Sequence, residues 1–270
     1  MIGLIYNEVS KIVAQRRFLV VIIILTLIAI LGALVAKAVH VTGQMMPTTA
    51  AQSVNNGISA AAQLLFPFLF AIIMGDIIAG ELNGGTMKLL LIRPVARWKV
   101  WLSKLIGAYL ACTAIVIYSG LLSYVALGAT IGFGSFSAPE GGMYNIAASA
   151  GFVTAKVYAL ELASIFSVIS TFLLISTFVE SGVAAVGLCA SLTVFCSVAV
   201  AIFRGLAAFS PRARILEYLF FSHWQIAGLG NSSFPFQNWT ITGSLVTLAV
   251  WSLLFIAIGI AYFKYKDVKG

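Results

Sequence analysis

The chain has 270 residues, of which 61% are hydrophobic and only 9% charged, with a mean hydropathy of +1.06. A soluble domain carries about 25% charged residues, so this sequence lacks the polar surface needed to stay in water. The net charge of +8 has no soluble basic face to belong to, which argues against nucleic-acid binding and reads as a topology signal.

Residues 2–17 predict an amphipathic helix. Ile2, Ile5, Val9, Ile12 and Val13 recur at helical spacing, while Asn7, Glu8, Lys11 and Gln15 lie away from them. Such a helix is expected to lie along the inner leaflet. Six apolar stretches follow, at 18–36, 58–76, 105–128, 157–179, 182–203 and 240–262. Each approaches the roughly 20 residues that cross a hydrocarbon core of about 30 Å. The alternation of transmembrane strands is absent. The expected fold class is therefore an all-α integral membrane protein, one domain over residues 1–270. The first stretch exceeds the roughly 7–15 apolar residues of a signal peptide, so it reads as a retained anchor despite Ala36-Lys37-Ala38.

Basic residues set the orientation. Lys11, Arg16, Arg17, the 80–104 segment and the tail (Lys264, Lys266, Lys269) place eleven Lys and Arg on one side. Five lie on the other: Lys37, Lys156, Arg204, Arg212 and Arg214. The excess puts both termini in the cytoplasm of a multi-pass protein of the cell (plasma) membrane. Segments 37–57 and 129–156 are expected as outer loops. The run ILEYLFFSHWQIAGL (215–229), between Pro211 and Pro235, is too short to span. It reads as an outer interfacial or re-entrant helix pair, with Tyr218 and Trp224 at the headgroups. His40 and His223 read as interfacial polar residues. Cys112, Cys189 and Cys196 fall inside spans, where they act as small apolar groups.

Segment 80–104, GELNGGTMKLLLIRPVARWKVWLSK, gathers Glu81, Lys88, Arg93, Arg97, Lys99 and Lys104. Burying each such charge in hydrocarbon costs about 3 kcal/mol, so the segment is expected in the cytosol. Its apolar residues, Leu89, Leu90, Leu91, Trp98 and Trp101 among them, are too many for a free loop and mark a protein contact. Gly84-Gly85 ends one helix and Thr86 caps the next. Pro94 stops that helix, and a second one runs from Val95 into the third span. The product is an elbow below the membrane.

In these residues the chain resembles the permease subunits of type-2 ABC transporters, mostly ATP-driven exporters. The resemblance rests on Glu81, Gly85-Thr86, Leu89-Leu90-Leu91, Pro94, Arg97 and Lys104, with the six spans and the amphipathic first helix behind it. Asn83-Gly84 stands where acidic residues are common in that family. The resemblance implies a single permease domain with a coupling helix that seats on a separate ABC ATPase subunit, present in two copies. It also implies a second permease copy, a homodimer in membrane lipid. ATP and Mg would then be bound by the partner, with no catalytic, cofactor or metal residue on this chain.

Gly80-x-x-x-x-Gly85-Thr86 lacks the Lys of a phosphate-binding loop. Asp76 reads as a solvated helix end or a pathway residue, and Pro67 as a kink or hinge in the second span. Glu161 lies about one turn into the fourth span, where it reaches the headgroups or a local partner, or serves the pathway. The alternative function is a stand-alone secondary transporter or channel, although the span centres carry few ionisable groups. An intramembrane enzyme ranks last, for want of any catalytic constellation. Apolar walls with Ser, Thr and aromatic residues suit an amphipathic cargo: a peptide, a lipid-like or a drug-like molecule.

Overall fold

The structure, a computed structural model, describes residues 1–42, 50–84, 96–133, 150–209, 218–224, 226 and 240–265. Among these, six stretches are long and apolar enough to cross a bilayer: Arg16–Val39, Leu65–Leu82, Arg97–Ile131, Thr154–Phe178, Gly182–Ile202 and Ile241–Tyr265. The perimeter carries exposed Leu31, Val35, Val183, Phe195, Val246 and Leu253, which water does not tolerate in such density and hydrocarbon does.

In chain order the helices are α1 (Ile2–Val13), α2 (Arg16–Thr42), α3 (Ala50–Gln63), α4 (Leu65–Met74), α5 (Ala79–Asn83), α6 (Arg97–Ile131), α7 (Ala150–Phe178), α8 (Gly182–Phe209) and α9 (Ile241–Tyr265). A 3₁₀ turn, Phe220–His223, lies between the last two. Helices α6 and α7 form the spine. The first supports α1, α2, α3 and α9, and the second packs on α3, α4, α8 and α9. Two parts of the expected outer loops are helical instead, at 50–57 and 150–156. The first was hidden by its polarity, but Ala51, Val54, Asn55, Ile58 and Ala62 are buried at helical spacing.

The second span is not the single helix expected over 58–76. It is broken at Leu64, whose φ of −138° leaves the helical region, and again at Gly75–Ile78. The first break follows from Pro67. Proline has no N–H to donate to the carbonyl four residues earlier, that of Gln63. The hydroxyl of Ser197 on α8, shared with the Thr193 carbonyl of its own helix at 3.0 Å, takes its place 3.0 Å from the Gln63 oxygen. The second break leaves the first N–H groups of the short α5 without intrahelical partners. Ser176 of α7 accepts both, from Ile78 N and Ala79 N, each at 3.1 Å. At Gly75 an added Cβ would lie 2.8 Å from the Cα of Val186, so only glycine lets α8 come this close.

Around the 3₁₀ turn, two sequence expectations change. Trp224 and His223 are not at an interface; both are buried, whereas Tyr218 is exposed. Trp224 stands edge-on to Phe172, and Phe220 packs on Trp251 and Phe255 of α9. Trp251, about 15 Å along α9 from its start, donates its indole N–H to the Tyr218 carbonyl at 3.0 Å. The aromatic residues were read as headgroup anchors, but α9 offers them a drier seat.

Ser197 and Pro67 should behave as a coupled pair. Ser197→Ala is expected to cost about 1 kcal/mol, the net worth of one hydrogen bond. In a Pro67→Ala background, where residue 67 regains its N–H, the same change should cost close to nothing. Unfolding in mixed micelles of the four combinations gives the coupling directly.

Candidate functional site

The charges of the sequence converge at one end of the bundle. Lys104, one turn into the apolar part of α6, has no exposed side-chain surface. Its ammonium lies 3.0 Å from Glu8 Oε2 and 2.8 Å from Glu81 Oε2. The other oxygens of the same two carboxylates meet Lys11, Glu81 Oε1 at 3.1 Å and Glu8 Oε1 at 3.4 Å. Two acids and two bases thus alternate in a closed ring of no net charge. It joins α1, α5 and α6.

Local sequence explains the ring. Glu8 and Lys11 are one turn apart on α1, as are Lys104 and Gly107 on α6. A Cβ at Gly107 would stand 2.9 Å from the Glu8 Cβ, so glycine lets the backbone of α1 come within reach of the lysine. Helix α1 docks along the border between its two faces. Glu8 and Ile12 turn inward, Ile2, Tyr6 and Val13 are exposed on the apolar side, and Asn7 and Ser10 are exposed on the polar side. Glu8 does lie off the apolar stripe, as its spacing implies, yet it is buried against protein. The expectation that the charges of 80–104 all sit in water is corrected: Lys104 is buried because two carboxylates accompany it.

Further ties surround the ring. Arg17, opening α2, pairs with Asp76 at 2.7 Å and reaches the Ile72 carbonyl at 3.4 Å. Asp76 is thus partnered rather than a free solvated helix end. Arg97 donates to the Lys264 carbonyl at 3.2 Å, in the last turn of α9, where a cation complements the helix dipole. Trp101 is buried, with its indole N–H 3.1 Å from Thr177 Oγ1 and its ring against Gly259, where a Cβ would approach to 2.5 Å. Neighbouring Ser176 and Thr177 at the end of α7 therefore hold two different elements, the broken second span and the start of the third.

Of the residues singled out from sequence, Glu81, Lys104, Arg97 and Asp76 meet at this end. Gly85, Thr86, Leu89, Leu90, Leu91 and Pro94 lie outside the described residues. Pro67 sits below the Leu64 break. Glu161 stands apart: it is buried inside the bundle, 1% exposed, with Ser164 as a hydrogen-bond partner and Oε2 without one. It does not reach the headgroups. Sequence reasoning missed Glu8, Lys11, Arg17, Ser176 and Thr177 as members of this network. The Glu8–Lys11 spacing carried a signal; the hydroxyls carried none.

Burial works to lower the pKa of Lys11, but the charges of Glu81 and then Glu8, with their hydrogen bonds, outweigh it and hold the ammonium above its ordinary value. A raised lysine pKa means stability that is complete below the unfolded value of about 10.4 and lost as pH rises through the higher folded value. Wild type should therefore lose stability in that alkaline range by more than Lys11→Met does, read as the difference between their unfolding curves. Removing Lys104 is a harsher change. Lys104→Met leaves two carboxylates with only Lys11 beside them and should cost about 3–5 kcal/mol, and the exchange Glu81→Lys with Lys104→Glu should not recover it, because it sets like charges against Glu8 and Lys11. The same unfolding assay checks both.

Comparison with known proteins places the chain. It is 26% identical over 223 residues to "Uncharacterized protein YhcI" of Bacillus subtilis (strain 168), covering 78% of this chain and 67% of that protein. The profile of the family described as "Protein of unknown function (DUF2705)" matches residues 18–269, from the second helix onward, and the chain belongs to that family.

Proposed function

We propose that the chain is the membrane subunit of an ABC exporter: a permease, acting as a pair of copies, moved by a separate ATPase that binds ATP and Mg. On this reading the charge ring and both termini face the cytoplasm of the cell membrane. Residues 85–95 dock on the ATPase, with Leu89, Leu90 and Leu91 as the contact ridge and Gly85, Thr86 and Pro94 shaping it. The cargo is amphipathic: a peptide, a lipid-like or a drug-like molecule.

One observation carries the reading. Glu81 and Lys104 flank the docking segment, and their 2.8 Å pair closes its base against α1. A push on the segment is then passed to α1, α5 and α6 together rather than absorbed in a loop. Arg97 extends the same block to α9 through the Lys264 carbonyl. In this role Glu81, Arg97 and Lys104 are positioning residues behind the contact, and the leucines make it. The breaks at Leu64 and Gly75–Ile78 give the second span two places to bend directly above the lever.

A second reading, a stand-alone secondary transporter, draws on Glu161. A carboxyl buried in a span with one oxygen unpartnered is the kind of group that ion-coupled carriers use.

The two readings part on a reconstitution. The full chain isolated from native membranes should carry an ATP-hydrolysing subunit. Leu90→Asp should strip that subunit and abolish ATP-dependent transport while leaving the unfolding curve in place. Substrate flux in vesicles holding this chain alone, abolished by Glu161→Gln, would instead establish the second reading.

A further inference from the structure

Far from the charge ring, α2, α3 and α6 enclose a cleft of about 480 Å³. Helices α2 and α3 both pack on α6 and scarcely on one another, so the space between them is V-shaped. Its floor is buried: Leu25 and Ala29 of α2, Phe66 of α4, Ser119 and Leu127 of α6. Its rim, Ile28 and Gly32 on one side and Gly57 and Ala60 on the other, is exposed.

We infer that this cleft holds one acyl chain of a bilayer lipid. The inference is independent of how the transporter is driven. Four observations bear on it. First, glycines between membrane helices ordinarily let backbones touch. Gly32 and Gly57 do the reverse: a Cβ at either would meet nothing within 4 Å. Both glycines keep volume open instead of closing it. Second, the occupant is apolar. The polar groups of the lining are the hydroxyls of Ser53, Ser119 and Ser123, and that of Ser119 already donates to the Val116 carbonyl at 2.9 Å. An ordered water needs two to four polar partners, which this lining does not supply together. A dry void would instead leave its walls without dispersion contacts.

Third, the shape is that of a chain. The α2 lining runs from Leu25 to Ala36, about 16 Å at 1.5 Å per residue. A methylene chain laid along α2 matches that length. Fourth, the opening adjoins hydrocarbon. On α2 it is continuous with exposed Leu27 and Leu31, and beyond the α6 wall stand exposed Leu121 and Val125. The nearest molecules to the rim in a bilayer are acyl chains, at very high local concentration.

The full chain, reconstituted in phosphatidylcholine vesicles containing a phospholipid with a diazirine near the end of one acyl chain, tests this. After irradiation, adducts should map by peptide mass spectrometry to the floor, to Phe66 and Leu127, as well as to exposed ridges such as Leu31 and Leu121. The double variant Gly32→Leu, Gly57→Leu projects side chains from positions where an added Cβ meets nothing within 4 Å and so fills open space. Floor adducts should fall by about tenfold or more, as when filled volume excludes a ligand outright, with ridge adducts and the unfolding midpoint unchanged. Adducts confined to the ridges in the wild type would overturn the proposal. So would floor adducts that survive the filling, or a Gly32→Cys chain that forms an efficient disulfide dimer across the rim, since a second copy would then occupy the cleft.

Discussion

A lysine with no exposed surface survives in this protein because two carboxylates, each borrowed from a different helix, reach it. Lys104 alone would be expelled from the bundle, and Glu8 alone would not let α1 dock. Together with Lys11 and Glu81 they form a ring in which every charge has two opposite neighbours. The arrangement offsets desolvation only while complete, so its value lies less in stability than in register: it fixes where α1, α5 and α6 stand relative to one another. Everything at this end of the bundle, from the Arg17–Asp76 pair to the seat of Trp101, is built around that fixed point.

The second tier of organisation is made by hydroxyl groups. A span interrupted twice would expose backbone polar groups to an apolar interior, where each unpaired group is expensive. Ser197 answers the carbonyl freed by Pro67, and Ser176 answers the N–H groups at the start of α5. Because both serines belong to neighbouring helices, bending the second span means moving against α7 and α8. The breaks are therefore joints with stops.

How much of this was legible beforehand depends on the kind of force at work. Apolar length alone located the spans, and Pro67 marked the first place where the second one fails to be regular, whereas the break at Gly75–Ile78 was not read. The docking edge of α1 was half visible: the stripe Ile2, Ile5, Val9 was plain, but which side of it faces protein is decided by Gly107 and Lys104, a hundred residues away. Trp224 was misplaced for a related reason, and of the readings open to Glu161 the headgroup one fails for the same cause. A position near a predicted span end suggests headgroups, whereas tertiary packing seats both inside. The charged segment was recognised as special from composition, yet its logic required Glu8, a residue that alone looks like any helix surface acid. Hydroxyl partners such as Ser176 and Thr177 leave no pattern, since serine and threonine occur throughout these spans.

The account rests on Lys104 being enclosed by α1. Brief amine acetylation of the folded full chain, read residue by residue by mass spectrometry, measures that enclosure directly. Exposed Lys99, five residues away on the same helix, is the internal standard. Lys104 should remain unmodified while Lys99 reacts, and deletion of residues 2–13 should bring the two rates together. Equal reactivity of Lys104 and Lys99 in the intact chain would contradict it.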